Sequence, residues 1–500
     1  MADTKREIER KYESDDSGLP DLTGVAGVAS VVDKGVAELD ATYYDTADER
    51  LAASSITLRR RTGGSDAGWH LKFPVAQGVR DEIQAPLSDE LPDTLAGLVR
   101  SRVRDAELVP VVRLRSDRDV RHLVDADGGL LAEVSVDAVH AQRLAGGDGS
   151  AQWTEIEVEL ADGGDPAFLD KVEKRLRKAG VRPSESASKL ARALAETAPK
   201  KLAPKSVEDL ETAGDHVLAY VRAQRDAIVE LDPAVRQDAE DSVHSMRVAT
   251  RRMRSTFKSF GKVLDRAVTD PIGDELKWLA GELGVDRDRE VLNERLSAAL
   301  ETIPHTLVSG PVAERVSHWA GDRPGGASGR LIGVLDSDRY LALLNTLDAL
   351  LAEPPLREAA GQKPGKVLPK AVKKDFGKVS ALVEQAVELD PGHDRDVAIH
   401  EARKKTKRTR YAAEAAVPAL GKPAKDLVKT MKSLQNLLGE HQDSVMARQT
   451  LRELSAVAHA AGESAFTYGL LYGREEQRAA AVEAELPGFW DGIKSGTDVL

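Results

Sequence analysis

The sequence predicts an α+β protein of two domains: a β-rich N-terminal part that closes as a barrel, and an all-α C-terminal part built from a duplicated helical unit. Three observations carry this. Across residues 1–195, alternating runs with the two-residue period of a strand recur. Beyond residue 209 the period becomes that of a helix. Within the helical part, His244, Arg247, Arg251 and Arg254 recur with the same spacing as His400, Arg403, Lys407 and Arg410, offset by 156 residues.

The 500 residues are 41% apolar and 31% charged, enough for packed cores under solvated surfaces. Aromatic residues make up only 4%, so those cores rest on Leu, Val and Ala. The chain has no cysteine, which excludes disulfides, thiolate metal sites and cysteine nucleophiles, and fits a cytoplasmic location. The first residues lack the apolar segment of a signal peptide. No run reaches the ~18 apolar residues of a membrane span, so no membrane partner is expected. The net charge of −12 argues on average against a polyanion partner. Basic residues are clustered in the second part, however, and the local field decides capture.

Strands are expected at residues 8–12, 56–61, 69–73, 111–115, 130–136 and 154–160, separated by turns such as Gly63-Gly64 and Asp127-Gly128-Gly129. A helix is expected over 168–179, started by Pro166 and capped by Gly180. Residues 196–207, polar with two prolines, read as a linker. Helices then alternate with breaks at 322–329 and 353–365, giving repeats at about 208–352 and 366–500.

Glu7, Glu9 and Lys11 alternate, so a strand puts all three on one face. Burying them without ions or ligands is expensive. A helix instead makes Glu7 and Lys11 an i,i+4 pair, and the tripeptide alone leaves both readings open. The later runs favour strands. Arg59 and Arg61 share a face, as do His70 and Lys72, Arg80 and Glu82, Arg113 and Arg115, and Glu133 and Asp137. Glu155, Glu157 and Glu159 form a carboxylate row opposite Ile156 and Val158. Mixed charges on so many strands point to a barrel with a charged lumen. There, Arg and Lys would grip phosphate oxygens, and carboxylates would hold Mg²⁺ or Mn²⁺. Such a metal bridges phosphates and activates water. No P-loop run occurs.

The run Tyr43-Tyr44-Asp45-Thr46, then Leu58-Arg59-Arg60-Arg61-Thr62-Gly63-Gly64, then Trp69-His70-Leu71-Lys72-Phe73-Pro74, behind Glu7-x-Glu9-x-Lys11, resembles CYTH domains, the triphosphate tunnel metalloenzymes. The resemblance spans about residues 1–195. It implies an eight-stranded antiparallel tunnel that binds triphosphate with a divalent metal, Mg²⁺ or Mn²⁺. By this resemblance Lys11, Arg59, Arg61 and Lys72 bind triphosphate, joined by Arg113 or Arg115 and by Lys189 in the late Ser186-Ala187-Ser188-Lys189 run. Glu7, Glu9, Glu155 and Glu157 take the metal side, with Asp137 as a further acidic group. Lys11, Glu7 and Glu9 form the implied catalytic set.

On a helix, His244, Arg247, Arg251 and Arg254 fall within about 80° of arc at ~100° per residue, and Lys258 continues the stripe. No acidic residue occurs from 243 to 264. The second copy runs through His400, Arg403, Lys407 and Arg410, broadened by Lys404 and Arg408. Stacked like charges destabilise a helix unless something neutralises them. An extended polyanion does so, with salt-dependent contacts. Leu283-Gly284 with Asp288 matches Leu438-Gly439 with Asp443 at an offset of 155. These features resemble a CHAD domain over about 210–500. The resemblance implies two pseudo-symmetric helical bundles with a basic groove for inorganic polyphosphate.

The expected function is therefore metal-dependent hydrolysis of inorganic triphosphate, or another small triphosphate, in the tunnel, with polyphosphate held by the helical domain, in the cytoplasm and at polyphosphate granules. The alternatives are a non-catalytic polyphosphate-binding protein and an adenylate cyclase, for which no purine pocket is identifiable in the sequence. No nucleic-acid partner is expected.

Overall fold

The structure, a computed structural model, describes residues 3–14, 18–197, 210–285, 287–321 and 327–496. They belong to two compact units, Met1–Ser206 and Val207–Leu500.

The first unit contains strands β1 (Asp3–Glu13), β2 (Ser30–Asp45), β3 (Thr57–Thr62), β4 (Gly68–Ala76), β5 (Val79–Pro86), β6 (Val109–Val124), β7 (Leu130–Arg143), β8 (Ser150–Leu160) and the two-residue β9 (Arg182–Pro183). Helices α1 (Arg50–Ala53), α2 (Asp93–Val103), α3 (Ala167–Lys178) and α4 (Lys189–Thr197) join them. The sheet runs β5-β4-β3-β2-β6-β7-β8-β1, and a β1–β5 pairing shuts it into an eight-stranded ring, all antiparallel. β1 makes the closure by changing partner. Its residues 3–8 pair with β5 and residues 9–13 with β8, while β9 adds to its other edge at Tyr12 and Glu13.

Alternation decides which residues the ring encloses. Leu58, Leu71 and Ile83 point outward and pack under α1 and α2 with Leu51, Leu95 and Val99. Tyr12, Val134, Ile156 and Val158 point outward under Phe168, Leu169, Val172 and Leu176 of α3. α3 stands where a helix was expected, and Gly180 follows it at φ +89°. Inside, Leu190, Ala193 and Leu194 of α4 pack on Tyr43, Leu114, Val139 and Trp153, so apolar side chains fill that stretch of the interior. Gly63 is required at the β3–β4 turn: its φ is +80°, and a Cβ there would lie 2.0 Å from Glu38 O.

All six expected runs lie within or largely within strands, whereas β2 and β5 lay outside the expected set. The first half of β2 carries Asp33, Lys34 and Gly35 and is mostly exposed; only its later residues alternate with burial.

The second unit is helical: α5 (Ala213–Arg236), α6 (Ser242–Ser259), α7 (Arg266–Glu282), α8 (Arg287–Glu301), α9 (Val312–Gly321), α10 (Ala327–Leu335), α11 (Asp338–Ala352), α12 (Pro364–Glu388), α13 (His393–Leu420), α14 (Lys422–Ala460) and α15 (Phe466–Gly496). Among its described residues the one strand-like pairing is the single bridge Leu264–Leu356. One core, from Val217 and Met253 to Leu344, Val379, Ile399 and Leu434, joins helices of both repeats. The third helix of the repeat differs between copies. α14 runs unbroken through Leu438-Gly439, whereas the matching Leu283-Gly284 falls between α7 and α8. Of the expected linker, Glu196 and Thr197 belong to α4 instead, because Leu194 and Thr197 are buried; 198–207 lie outside the described residues. Of the expected break at 322–329, residues 322–326 lie outside the described residues and 327–329 begin α10. The break at 353–365 is present up to the start of α12.

Candidate functional site

The lumen of the ring is a cavity of about 350 Å³ lined almost entirely by charged and polar side chains. β1 contributes Lys5, Glu7, Glu9 and Lys11; β3, Arg59 and Arg61; β4, Lys72; β5, Arg80, Glu82 and Gln84; β8, Glu157 and Glu159. Lys189, the first residue of α4, reaches the same space.

These charges form an interlocked network. Lys11 Nζ lies 3.1 Å from Glu9 and also contacts Glu157. Lys72 bridges Glu7 at 2.5 Å and Glu82 at 3.4 Å. Glu82 also accepts from His70 Nδ1 at 2.8 Å and Gln84 at 2.8 Å. Arg59 donates to Tyr43 Oη at 3.3 Å and lies 3.9 Å from Glu82, while Arg61 pairs with Asp66. The Nε of both Arg59 and Arg61 is buried without a hydrogen-bond partner.

A carboxylate cradle lies at the α4 side. One oxygen each of Asp137, Glu155 and Glu157 falls within 4.8 Å of the others. Lys189 Nζ sits among them at 3.1, 2.7 and 2.6 Å respectively. Arg118 grips both oxygens of Asp137 at 2.7 and 2.9 Å and Glu157 at 2.8 Å. Trp153 Nε1 steadies Glu155 at 2.6 Å. These are the hard oxygen donors that a divalent cation such as Mg²⁺ or Mn²⁺ takes, and Lys189 and Arg118 would have to release them for it to bind.

Burial and neighbours set the protonation states. Burial pushes Glu7 up to about 7, aided by Glu82 and opposed by Lys72. Burial works against the charge of Glu9 too, but Lys11, Lys72 and Lys189 together outweigh it and hold the carboxyl below its usual range. For Lys11, burial is outweighed by Glu157 and Glu9, so its pKa rises. Burial drives His70 down to about 4, so it is neutral at pH 7.

The structure brings together Lys11, Arg59, Arg61, Lys72, Lys189, Glu7, Glu9, Asp137, Glu155 and Glu157. It does not bring in Arg113 or Arg115. Arg113 pairs with Asp40 at 2.9 and 2.5 Å on the outer side of β6, and Arg115 is 63% exposed in its side chain. The β6 cation of the lumen is Arg118, on the parity of buried Leu114. Glu82 and Arg118 face the lumen without being expected there, and Arg80 lies on the wall that the lumen shares with a second cavity. Arg80 and Glu82 were legible as a same-face pair; nothing local marks Arg118.

In the helical unit, α6 and α13 pack against each other and carry the two basic stripes. Arg247 makes a bidentate pair with Asp288 at 2.6 and 3.0 Å, and Arg403 lies 3.9 Å from Asp443. The glycine of each repeat motif makes room for this arginine: a Cβ on Gly284 would lie 2.6 Å from Arg247 Cζ, and one on Gly439 3.4 Å from Arg403 Nη2. Arg254 donates to Gly273 O at 3.1 Å, His400 contacts Gln442 at 2.6 Å, and Arg410 lies 3.5 Å from Glu414 and over the Tyr411 ring. His244 and exposed Lys258 complete the first stripe. The stripes converge electrostatically. Burial, then Arg403, Arg251 and Arg247, drives Lys407 down to about 7, and burial, then Arg247 and Arg403, lowers Arg251. The Nε atoms of Arg251, Arg403 and Arg410 are buried without partners. Arg408 and Lys404 do not broaden the stripe: Arg408 is tied to Asp375 at 3.0 Å and Lys404 to Glu401 at 2.6 Å. A third cluster, Asp396, His441 and Glu483, already holds Arg448 and Arg395 on its carboxylates at 3.6 and 3.0 Å.

A closed antiparallel tunnel with cations in its lumen, beside a buried carboxylate cluster, has the composition of a site for a phosphate chain with a divalent cation. Comparison with known proteins agrees: residues 5–194 match the CYTH domain and residues 219–452 the CHAD domain. An uncharacterized protein of Mycobacterium tuberculosis strain H37Rv is 38% identical over 496 residues, covering 96% of this chain and 94% of that protein, and its counterpart in strain CDC 1551 matches equally. The chain belongs to the family of proteins that join a CYTH domain to a CHAD domain. Among solved structures it is similar to PptA from Streptomyces chartreusis (20% identity, TM-score 0.48, 56% of this chain and 99% of that one). It is also similar to the CHAD domain of Ricinus communis (24%, 0.44, 59% and 96%) and to the PH1819 protein of Pyrococcus horikoshii (16%, 0.24, 38% and 96%). CYTH domains are tunnel enzymes that act on triphosphates, as triphosphatases or cyclases, and depend on divalent metal. No helix of the described residues is long and apolar enough to cross a membrane.

Proposed function

We propose that the N-terminal tunnel hydrolyses inorganic triphosphate and that the helical unit holds inorganic polyphosphate. The carrying observation is the composition of the lumen: cations on β1, β3, β4 and β6 face one small closed space beside the carboxylate cradle. Lys11, Lys72, Arg59, Arg61 and Arg118 neutralise and orient the phosphate chain. Asp137, Glu155 and Glu157 would hold the metal, which neutralises phosphate charge and lowers the pKa of a water. Glu7 and Glu9, each tied to a lysine, keep those lysines positioned across the lumen. Among the described residues Tyr43 is the one aromatic residue on the cavity lining. A base would find no stacking platform beyond it, which favours an inorganic chain over a nucleotide and over cyclisation of ATP.

The test is phosphate release from inorganic triphosphate with Mg²⁺ or Mn²⁺, with chelator as control. Fast release that chelator stops is expected. Glu9→Ala should cut the rate at least ~100-fold, a loss of about 2.7 kcal/mol of transition-state stabilisation. No release with either metal, or a near-parental rate in Glu9→Ala, overturns the assignment.

A further inference from the structure

We infer that Arg80 forms an additional phosphate subsite at the seam between β1 and β5, taking a phosphate group beyond the three held in the lumen. This rests on the tunnel reading above. Arg80 lines two spaces at once: the lumen and a second cavity of about 810 Å³. The second cavity forms where β1 runs past the end of β5. There Lys11 O is met by Ser184 N–H at 2.9 Å rather than by a β5 residue. Glu9 and Lys11 also line both spaces, so the two cavities are neighbours.

The charge balance at Arg80 differs from that of every other lumen cation. Lys5, Lys11, Arg59, Arg61, Lys72, Arg118 and Lys189 each have a carboxylate within 4.0 Å. Arg80 is only 8% exposed and, among the described residues, has none. Its guanidinium donates to two backbone carbonyls, Ala187 O at 2.8 Å and Ser55 O at 3.4 Å. These contacts aim it without neutralising it, and they leave further N–H donors of the five. A buried cation without a counter-charge is costly. An anion arriving with the ligand removes that cost, and a planar guanidinium suits a phosphate. Of the acidic residues that line the second cavity, Asp170 and Glu173 of α3 are taken by Arg10 and Glu9 by Lys11, while Glu185 is exposed. The phosphate has two sources: the fourth unit of a longer phosphoanhydride chain, or orthophosphate just released.

The experiment uses the full chain and its Arg80→Gln and Arg80→Met variants, with melting temperature as the folding control. Hydrolysis of inorganic triphosphate and tetraphosphate is compared, together with inhibition by orthophosphate. If the fourth unit of a chain occupies the subsite, kcat/KM for tetraphosphate falls about tenfold, the worth of one charge-assisted hydrogen bond, while that for triphosphate changes less than about threefold. If product occupies it, both substrates keep their rates and the orthophosphate inhibition constant rises about tenfold. Either folded variant is sufficient. A variant matching the parent in all three measurements overturns the inference, as does equal loss on both substrates with unchanged orthophosphate inhibition. A parent that hydrolyses neither substrate overturns the tunnel reading and this inference with it.

Discussion

At Lys407 a single ammonium carries the electrostatic state of the helical groove. Its pKa is drawn from 10.5 to about 7 by burial and by Arg403 and Arg251. The sign follows from linkage. Between pH 7 and 10.5 the unfolded chain holds a proton that the folded one lacks, so this group makes stability rise with pH in that window. Below pH 7 both states are protonated and the full penalty stands. A polyanion prefers the charged form, so binding takes up a proton. Polyphosphate affinity is therefore expected to fall about fivefold from pH 6 to pH 8, for a contact of about 1 kcal/mol. Calorimetry at the two pH values in matched salt reads this directly, and Lys407→Met should flatten the dependence. This residue was legible in the sequence as one member of a stripe. Its altered titration was not, because that comes from burial and from converging cations that include Arg251 of the other repeat.

Among the elements, α6 and α13 offer the plainest test. Replacing Arg247 and Arg403 together by Ala should weaken polyphosphate binding sharply. It should also flatten its salt dependence by about 1.4 in a log–log plot, at ~0.7 per lost phosphate contact by analogy with single-stranded nucleic acid. A salt titration with an unchanged slope would remove the stripes from the site. α3 is a covering element. Leu176 is fully buried against β1, β7 and β8, and Leu176→Ala should cost about 2–5 kcal/mol, seen as a lower denaturant midpoint at constant m-value. The stripes were readable because a helix places residues 3, 4 and 7 apart on one face. Strand β6 was not, because Arg113, Arg115 and Arg118 occupy both parities. The inward parity is set by Leu114 packing on Leu190 of α4, a contact between segments 76 residues apart. β2 escaped for a related reason: its first half is exposed and charged, so no alternation reports burial.

In the molecule as a whole, the division into two units means that ligands should stabilise them separately. Mg²⁺ with triphosphate is expected to raise the melting temperature of the parent. The Arg247→Ala/Arg403→Ala variant should keep that gain and Glu9→Ala should lose most of it. Binding at 100 times Kd is worth about 2.7 kcal/mol, well within reach of scanning calorimetry. A gain lost in both variants would mean that the two units do not respond independently. The two-part layout was legible from the change of hydrophobic period near residue 209. Ring closure was not, because no local pattern shows that one strand serves two partners. That strand, β1, has a further consequence for biosynthesis. It is made before the other strands of the ring, yet half of its pairing surface is β8, made about 150 residues later. At ~5–20 residues per second the wait is about 8–30 s. Throughout it, Glu7, Glu9 and Lys11 stay in water, and the alternate charges that later build the lumen keep the unpaired strand soluble until its last neighbour is translated.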